Sequence, residues 1–216
     1  FPTYLALCNI SQFLGMGDSL CLKDSPSSLM NISMSGQFST HITTSVFAGF
    51  IIAFPYIFWE FWRFISPALY SSETKLARGV VFFSSVLFLF GILFGYYVIA
   101  PLSINFLGSY QVSSLVANQI NLSSFISTVT TVCLANGIIF ELPILVYFLT
   151  KIGLLTPEFM RIYRKHAMIV VLILSAIITP PDISSQILVS FPLIILYEFS
   201  IKISSRVIKN QNKQRS

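Results

Sequence analysis

A chain of 216 residues that is 55% hydrophobic and only 10% charged, with a mean hydropathy of +0.80, is not an ordinary water-soluble domain. Its net charge of +5 needs no nucleic-acid partner, because the basic residues follow a pattern that a membrane explains. Between Arg78 and Lys151 the one charged side chain is Glu141, a spacing that excludes a solvated surface. The apolar runs are long and continuous rather than short and alternating, which predicts an all-α polytopic helical bundle and not a transmembrane barrel.

Residues 1–41 mix polar and apolar side chains with turn signals and show no signal peptide. They are read as an extracytoplasmic loop after a first span that is absent, since residue 1 is Phe; six spans are expected in the intact protein and five here. Cys8 and Cys21 both fall in this loop, on the oxidising side, where a disulfide between them is expected to close a short loop. Two cysteines alone do not define a framework.

A helix needs about 20 apolar residues to cross the hydrocarbon layer. Spans are predicted near 42–62, 79–101, 125–150, 167–178 and 186–201, the last two short. The short pair is compatible with one re-entrant hairpin broken at Pro180-Pro181, but two spans are favoured because they place Lys202 with the other basic residues. Arg63, Lys75 and Arg78 follow the first span. Lys151, Arg161, Arg164 and Lys165 follow the third, and Lys202, Arg206, Lys209, Lys213 and Arg215 lie in a basic tail, 202–216. Twelve of the thirteen basic residues therefore share one side, which the positive-inside rule makes cytoplasmic. The tail is also suited to anionic lipid.

Within residues 54–73, Trp59, Trp62 and Tyr70 suit the membrane boundary, and Pro67 ends the first span near Ile65. The run Trp62-Arg63-Phe64-Ile65-Ser66-Pro67-Ala68-Leu69-Tyr70, with Glu73 beyond it, resembles the signature of the TatC family, the multispanning subunit of the twin-arginine protein translocase. Three later stretches fit the same family in order: Phe140-Glu141-Leu142-Pro143, Gly153-Leu154-Leu155-Thr156-Pro157-Glu158, and Thr179-Pro180-Pro181-Asp182-Ile183-Ser184-Ser185-Gln186. The resemblance implies a receptor and core subunit in the bacterial inner membrane. It implies binding of twin-arginine signal peptides, assembly with single-span TatA and TatB subunits, self-association, and transport of folded proteins driven by the proton-motive force. The family's first span and its cytoplasmic N-terminal stretch have no counterpart here.

Glu141 lies about 15 Å along its helix from Lys151, near mid-membrane. Burial disfavours the charged form, so the carboxyl is read as a neutral hydrogen-bond donor in an intramembrane polar site. The plainer reading is a packing acid satisfied by Ser, Thr or Asn on a neighbouring helix. Gly137 and Pro143 flank it and predict a kink. Glu73 alone reads as a solvated charge; the resemblance makes it the signal-binding acid, ahead of Glu158 and Glu60, with Phe64 and Pro67 shaping the adjoining surface. A carboxylate suits a guanidinium because it takes two parallel hydrogen bonds. Pro180 and Pro181 break the helix and Asp182 caps the next one. Gln186 is placed to bond across helices, and the resemblance implies that Thr179 and Gln186 help dock the partner subunits.

Cys133 reads as a packing residue, and His41 and His166 as interfacial. No metal-ligand cluster, phosphate loop or nucleophile–base arrangement is present in the sequence, so neither a metal nor another cofactor nor an enzymatic activity is expected. The alternative from another class is a small-solute or ion transporter using Glu141 as a proton relay. The predicted orientation has a direct check on a cysteine-free background. Single cysteines at Ser113 should react with an impermeant thiol reagent added outside sealed cells, and those at Ser71 or Glu158 should not. Equal labelling of all three overturns it.

Overall fold

The computed structural model describes residues 29–65, 74–110, 119–179 and 183–215, and these are almost entirely helical. In chain order they form α1 (Gly36–Ile65), α2 (Thr74–Phe94), a π-helical turn (Gly95–Ile99), α3 (Ala100–Ser109), α4 (Leu122–Phe140), α5 (Leu142–Lys151), α6 (Pro157–Ile162), α7 (Arg164–Ile178) and α8 (Ile183–Arg215). Among the described residues the one non-helical pairing is an isolated bridge, in which Met30 exchanges backbone hydrogen bonds with Ile120 and Leu122. Among the described residues four stretches are long and apolar enough to span a membrane: Gly36–Phe64, Gly79–Gly108, Leu122–Lys151 and Gln186–Lys209. The fourth expected span, 167–178, lies in α7, which is helical but only 15 residues long.

Three element ends differ from those expected. α1 begins at Gly36, although residues up to His41 are polar. The hydroxyls of Thr43, Thr44 and Ser45 turn back onto the carbonyls of Ser39, Thr40 and His41, so these side chains are satisfied inside the helix instead of competing with it. The second span runs past Pro101 to Ser109. Pro101 is tolerated because it opens α3 directly after the π turn, where Ala100 N–H reaches back to Gly95 O and the widened turn absorbs the ring. α8 carries on through the expected tail as far as Arg215, and Ser200, Ser204 and Val207 are buried along it.

The centre of the bundle is the contact between α2 and α4. Gly91 leaves so little room that a Cβ there would lie 2.8 Å from the backbone oxygen of Asn136 and 2.9 Å from Gly137 Cα. A Cβ at Gly95 would lie 2.9 Å from Cys133 Cα. Lipid is as apolar as the helices, so close backbone approach between small residues does the work that hydrophobic burial does in water. α1 joins through Phe54, whose ring stacks on the fully buried Phe88 at 3.6 Å between centroids, and through Trp62, which is buried against Tyr147 at 6.4 Å. The π turn, α4, α7 and α8 then meet around Ile99, Val132, Phe140, Val171, Val189 and Leu193.

α7 and α8 form an antiparallel hairpin. Gln186 Nε2 donates to Leu172 O at 3.3 Å, while Arg164 forks onto Glu198 with Nε–Oε1 at 2.9 Å and Nη2–Oε2 at 3.0 Å. The later residues of α8 thus lie beside the earlier residues of α7. Tyr197 OH donates to Met160 O at 2.8 Å and ties α6 to the same corner.

Gly91→Ala is expected to cost about 1–3 kcal/mol of stability, because the added methyl meets backbone that cannot move aside. Gly49→Ala is the comparison, since no atom lies within 4 Å of a Cβ there. Thermal unfolding of both variants in detergent should lower the midpoint only for Gly91. Equal midpoints would mean that the α2–α4 contact is looser than described.

Candidate functional site: an intramembrane serine–carboxyl pair

Glu141 is the single residue between α4 and α5 in a helical run that otherwise spans Leu122–Lys151. Pro143 lacks an N–H and occupies the first turn of α5, and Glu141 itself has φ −76° and ψ −5°, so the regular ladder breaks there. The expected kink is present. Its effect is to interrupt the helix at a polar side chain inside the membrane.

The partner is Ser84 on α2, which is fully buried and donates from Oγ to Glu141 Oε2 at 2.7 Å. Ser84, Phe88 and Gly91 on α2, and Gly95 at the start of the π turn, recur at helical spacing on one face, the face that meets α4. The glycine contact and the hydrogen bond therefore belong to one helix–helix surface. Glu141 Oε1 is buried and has no hydrogen-bond partner, so one oxygen is held while the other is left for a donor. Asn136, 1% exposed, repeats the pattern: its Nδ2 donates to Val132 O at 2.9 Å and its Oδ1 has no partner. This part of the bundle offers two buried, unfilled acceptors within a short stretch of chain. Chemically it can receive a hydrogen bond, or the protonated carboxyl can give one.

The remaining predicted residues are dispersed. Phe64 stands at the end of α1 with 84% of its surface exposed. Pro67 and Glu73, Pro180, Pro181 and Asp182, and Cys8 and Cys21 lie outside the described residues. Thr179, at the end of α7, is buried and returns its hydroxyl to Ser175 O at 2.8 Å. Gln186 makes the cross-helix bond to Leu172. Cys133 is a buried free thiol packed with Phe88 and Ile92. Glu60 lies 3.8 Å from Arg63 one turn on, an exposed pair worth little. Glu158 is exposed in the first turn of α6, which Thr156 caps by accepting from Phe159 N–H. Among the described residues no group of His, Cys, Asp and Glu is arranged to hold a metal ion.

Sequence reasoning passed over three features. Ser84 gives no signal by itself, because serine is common in membrane helices. Gly91-x-x-x-Gly95 was readable as a small-residue packing motif. Glu198 was readable as an acid in an otherwise apolar run, although nothing in the sequence designates Arg164, thirty-four positions away, as its partner.

With the geometry in place, comparison with known proteins is informative. The family model described as "Sec-independent protein translocase protein (TatC)" matches residues 5–192. The TatC of Blattabacterium sp. subsp. Periplaneta americana is 46% identical over 183 residues, covering 85% of this chain and 69% of the relative. That of Helicobacter pylori strain J99 is 44% identical over 166 residues, covering 77% and 66%. The chain thus spans about two thirds of the length of the curated relatives it matches. A crystal structure of the twin arginine translocase receptor TatC in the detergent DDM superposes with a TM-score of 0.70 at 34% identity, covering 94% of this chain and 92% of that one.

The Ser84–Glu141 pair yields a stability prediction that needs no assay of function. Ser84→Ala should cost about 1–3 kcal/mol by leaving both carboxyl oxygens unpaired. Adding Glu141→Leu should recover much of that loss, because the orphaned group is then gone. Unfolding of the single and double variants in mixed micelles measures the coupling, and strict additivity would show that the two side chains do not interact.

Proposed function

The chain belongs to the TatC family of Sec-independent protein translocase proteins, and on that premise we propose that it acts as the receptor and core subunit of a twin-arginine translocase. In this reading it sits in the bacterial inner membrane with α8 ending on the cytoplasmic side, in keeping with the one-sided basic residues. It binds twin-arginine signal peptides and nucleates a site for folded cargo, without catalysis or cofactor of its own. The observation that carries the reading is that the family match runs through every motif in residues 62–186.

Glu73 is assigned to the signal arginines, with Phe64 and Pro67 shaping the adjoining surface. The chemistry supports it, because the two oxygens of a carboxylate match the planar fork of a guanidinium. The exposure of Phe64 leaves that ring available to a peptide. Glu141 is assigned to the membrane-level path of inserted cargo, where its unpartnered Oε1 is the group a passing backbone or side-chain donor would meet. Thr179 and Gln186 are assigned to docking of TatA- and TatB-type subunits, and self-association is part of the same assembly. The family match leaves the solute-transporter alternative with no observation in its favour.

Three variants at two positions test the reading together, each in a protein extended to the full length of its relatives. Glu73→Lys should abolish photocrosslinking to a twin-arginine peptide while membrane insertion stays normal; unchanged crosslinking would move the role to another acid. Glu141→Gln should keep most export of a folded reporter, because the amide still accepts from Ser84 and can donate, and Glu141→Ala should lose at least about tenfold. Full export in both variants would reduce Glu141 to a tolerated packing acid.

A further inference from the structure

α8 is too long for the membrane that its partner α7 implies. Its 33 residues extend about 50 Å at 1.5 Å per residue, whereas α7 has only 15. Glu198, paired with Arg164, lies beside the start of α7, and the helix continues well beyond that level. The extension does not project freely. Thr150 Oγ1 donates to Ser204 Oγ at 2.9 Å, and Ile201, Ser204 and Val207 are buried on the side of α8 that meets α5 and α6.

The opposite side of α8 changes character along its length. Phe191, Ile195 and Phe199 are 67%, 52% and 54% exposed, and Lys202, Arg206 and Lys209 after them are exposed as well. At 3.6 residues per turn all six fall within a sector of about 80°, turned away from Leu193, Ile201 and Ser204. Phe191 precedes Lys202 by about 16 Å along the axis, the depth of one hydrocarbon leaflet. The basic residues span about 10 Å more, reaching through the headgroup layer. One face thus presents an apolar strip ending in three cations at the level where phosphates lie. Glu198 borders the strip, but Arg164 engages both its carboxyl oxygens, so it does not neutralise the cluster. Among the described residues no ion pair joins an acid to Lys202, Arg206 or Lys209.

We propose that this face of α8 is a binding site for an anionic phospholipid, its acyl chain along Phe191, Ile195 and Phe199 and its headgroup phosphate held by Lys202, Arg206 and Lys209. Charge complementarity selects the headgroup, and the continuity of the strip selects a lipid over a soluble phosphate. The docked Ser204 side fixes how α8 is turned, so the three cations are presented together on the opposite, exposed face. The site shares α8 with the assigned partner-docking residue Gln186 but lies on the opposite face of the helix and does not depend on that assignment.

The full chain reconstituted in nanodiscs of equal phosphatidylglycerol and phosphatidylethanolamine, then examined by native mass spectrometry, tests it. The unaltered protein should retain phosphatidylglycerol selectively. Neutralising Lys202, Arg206 and Lys209 to Gln should weaken that retention about fivefold per residue, on the order of a hundredfold together, with phosphatidylethanolamine unaffected. Lys202→Arg with Lys209→Arg should keep it. Selectivity that survives the triple substitution, or retention of both lipids falling equally, overturns the site. A headgroup-diazirine phosphatidylglycerol applied to the unaltered protein should label the peptide containing residues 202–209. Label confined to the basic segment around Arg161 and Lys165, or label competed by soluble glycerol phosphate, would also overturn it.

Discussion

The approach of α2 to α4 at Gly91, Gly95 and Gly137 is the contact on which the rest of the structure depends. In a bilayer the solvent is hydrocarbon, and burying leucine against leucine gains almost nothing over leaving it in lipid. What holds two helices together is close packing, and the glycines permit it: Gly91 and Gly95 admit the backbone of α4, and Gly137 admits the side chains of Phe88 and Ile92. Once the register at Gly91 is set, Phe88 is enclosed and stacked by Phe54, and Ser84 on the same face reaches Glu141. The polar site follows from the packing geometry. A side chain at Gly91 would separate the backbones and draw the serine away from the carboxyl.

Much of this was legible in the sequence. The five helices, the kink beside Pro143 and the singular position of Glu141 follow from hydropathy, proline chemistry and the absence of other charges. The four motifs led to a family that the comparisons bear out. The parts that were not legible depend on distance in space. Ser84 is fifty-seven positions from Glu141, and no local pattern links them. Pro101 read as a helix end because proline normally is one; only the π turn before it shows how the helix continues. The start of α1 was displaced for a related reason. Residues 36–41 look like a loop until the carbonyls of Ser39, Thr40 and His41 are seen accepting from hydroxyls one turn on.

The hairpin of α7 and α8 solves a different problem with different means. Two helices of such unequal length need their register fixed, and two polar contacts do so: Gln186 on Leu172 O and the Arg164–Glu198 fork near the start of α7, while Tyr197 on Met160 O anchors α6 to the same corner. An exposed surface ion pair contributes little to stability. A bidentate fork carries directional information, however, because both oxygens and two guanidinium nitrogens must align together. Its value here is register, where one turn of slippage would cost both hydrogen bonds.

The two halves of the bundle also differ in how they treat polar groups. Along α7 and α8, the buried hydroxyls of Thr179, Ser175, Ser190 and Ser200 are returned to carbonyls of their own helices. At the α4–α5 break, Asn136 and Glu141 each keep one buried acceptor unfilled. An unpaired buried polar atom costs on the order of 1–3 kcal/mol, and the hydroxyls along α7 and α8 avoid that cost by simple local bonds, whereas Thr40 Oγ1 on α1 and Ser103 Oγ on α3 do not. The same remedy was open to Asn136 and Glu141, whose replacement by apolar residues of similar size would pack the same space. Asn136 and Glu141 thus hold two of the four buried side-chain atoms without a partner among the described residues, and what sets this pair apart is that both lie within five residues of one helix break.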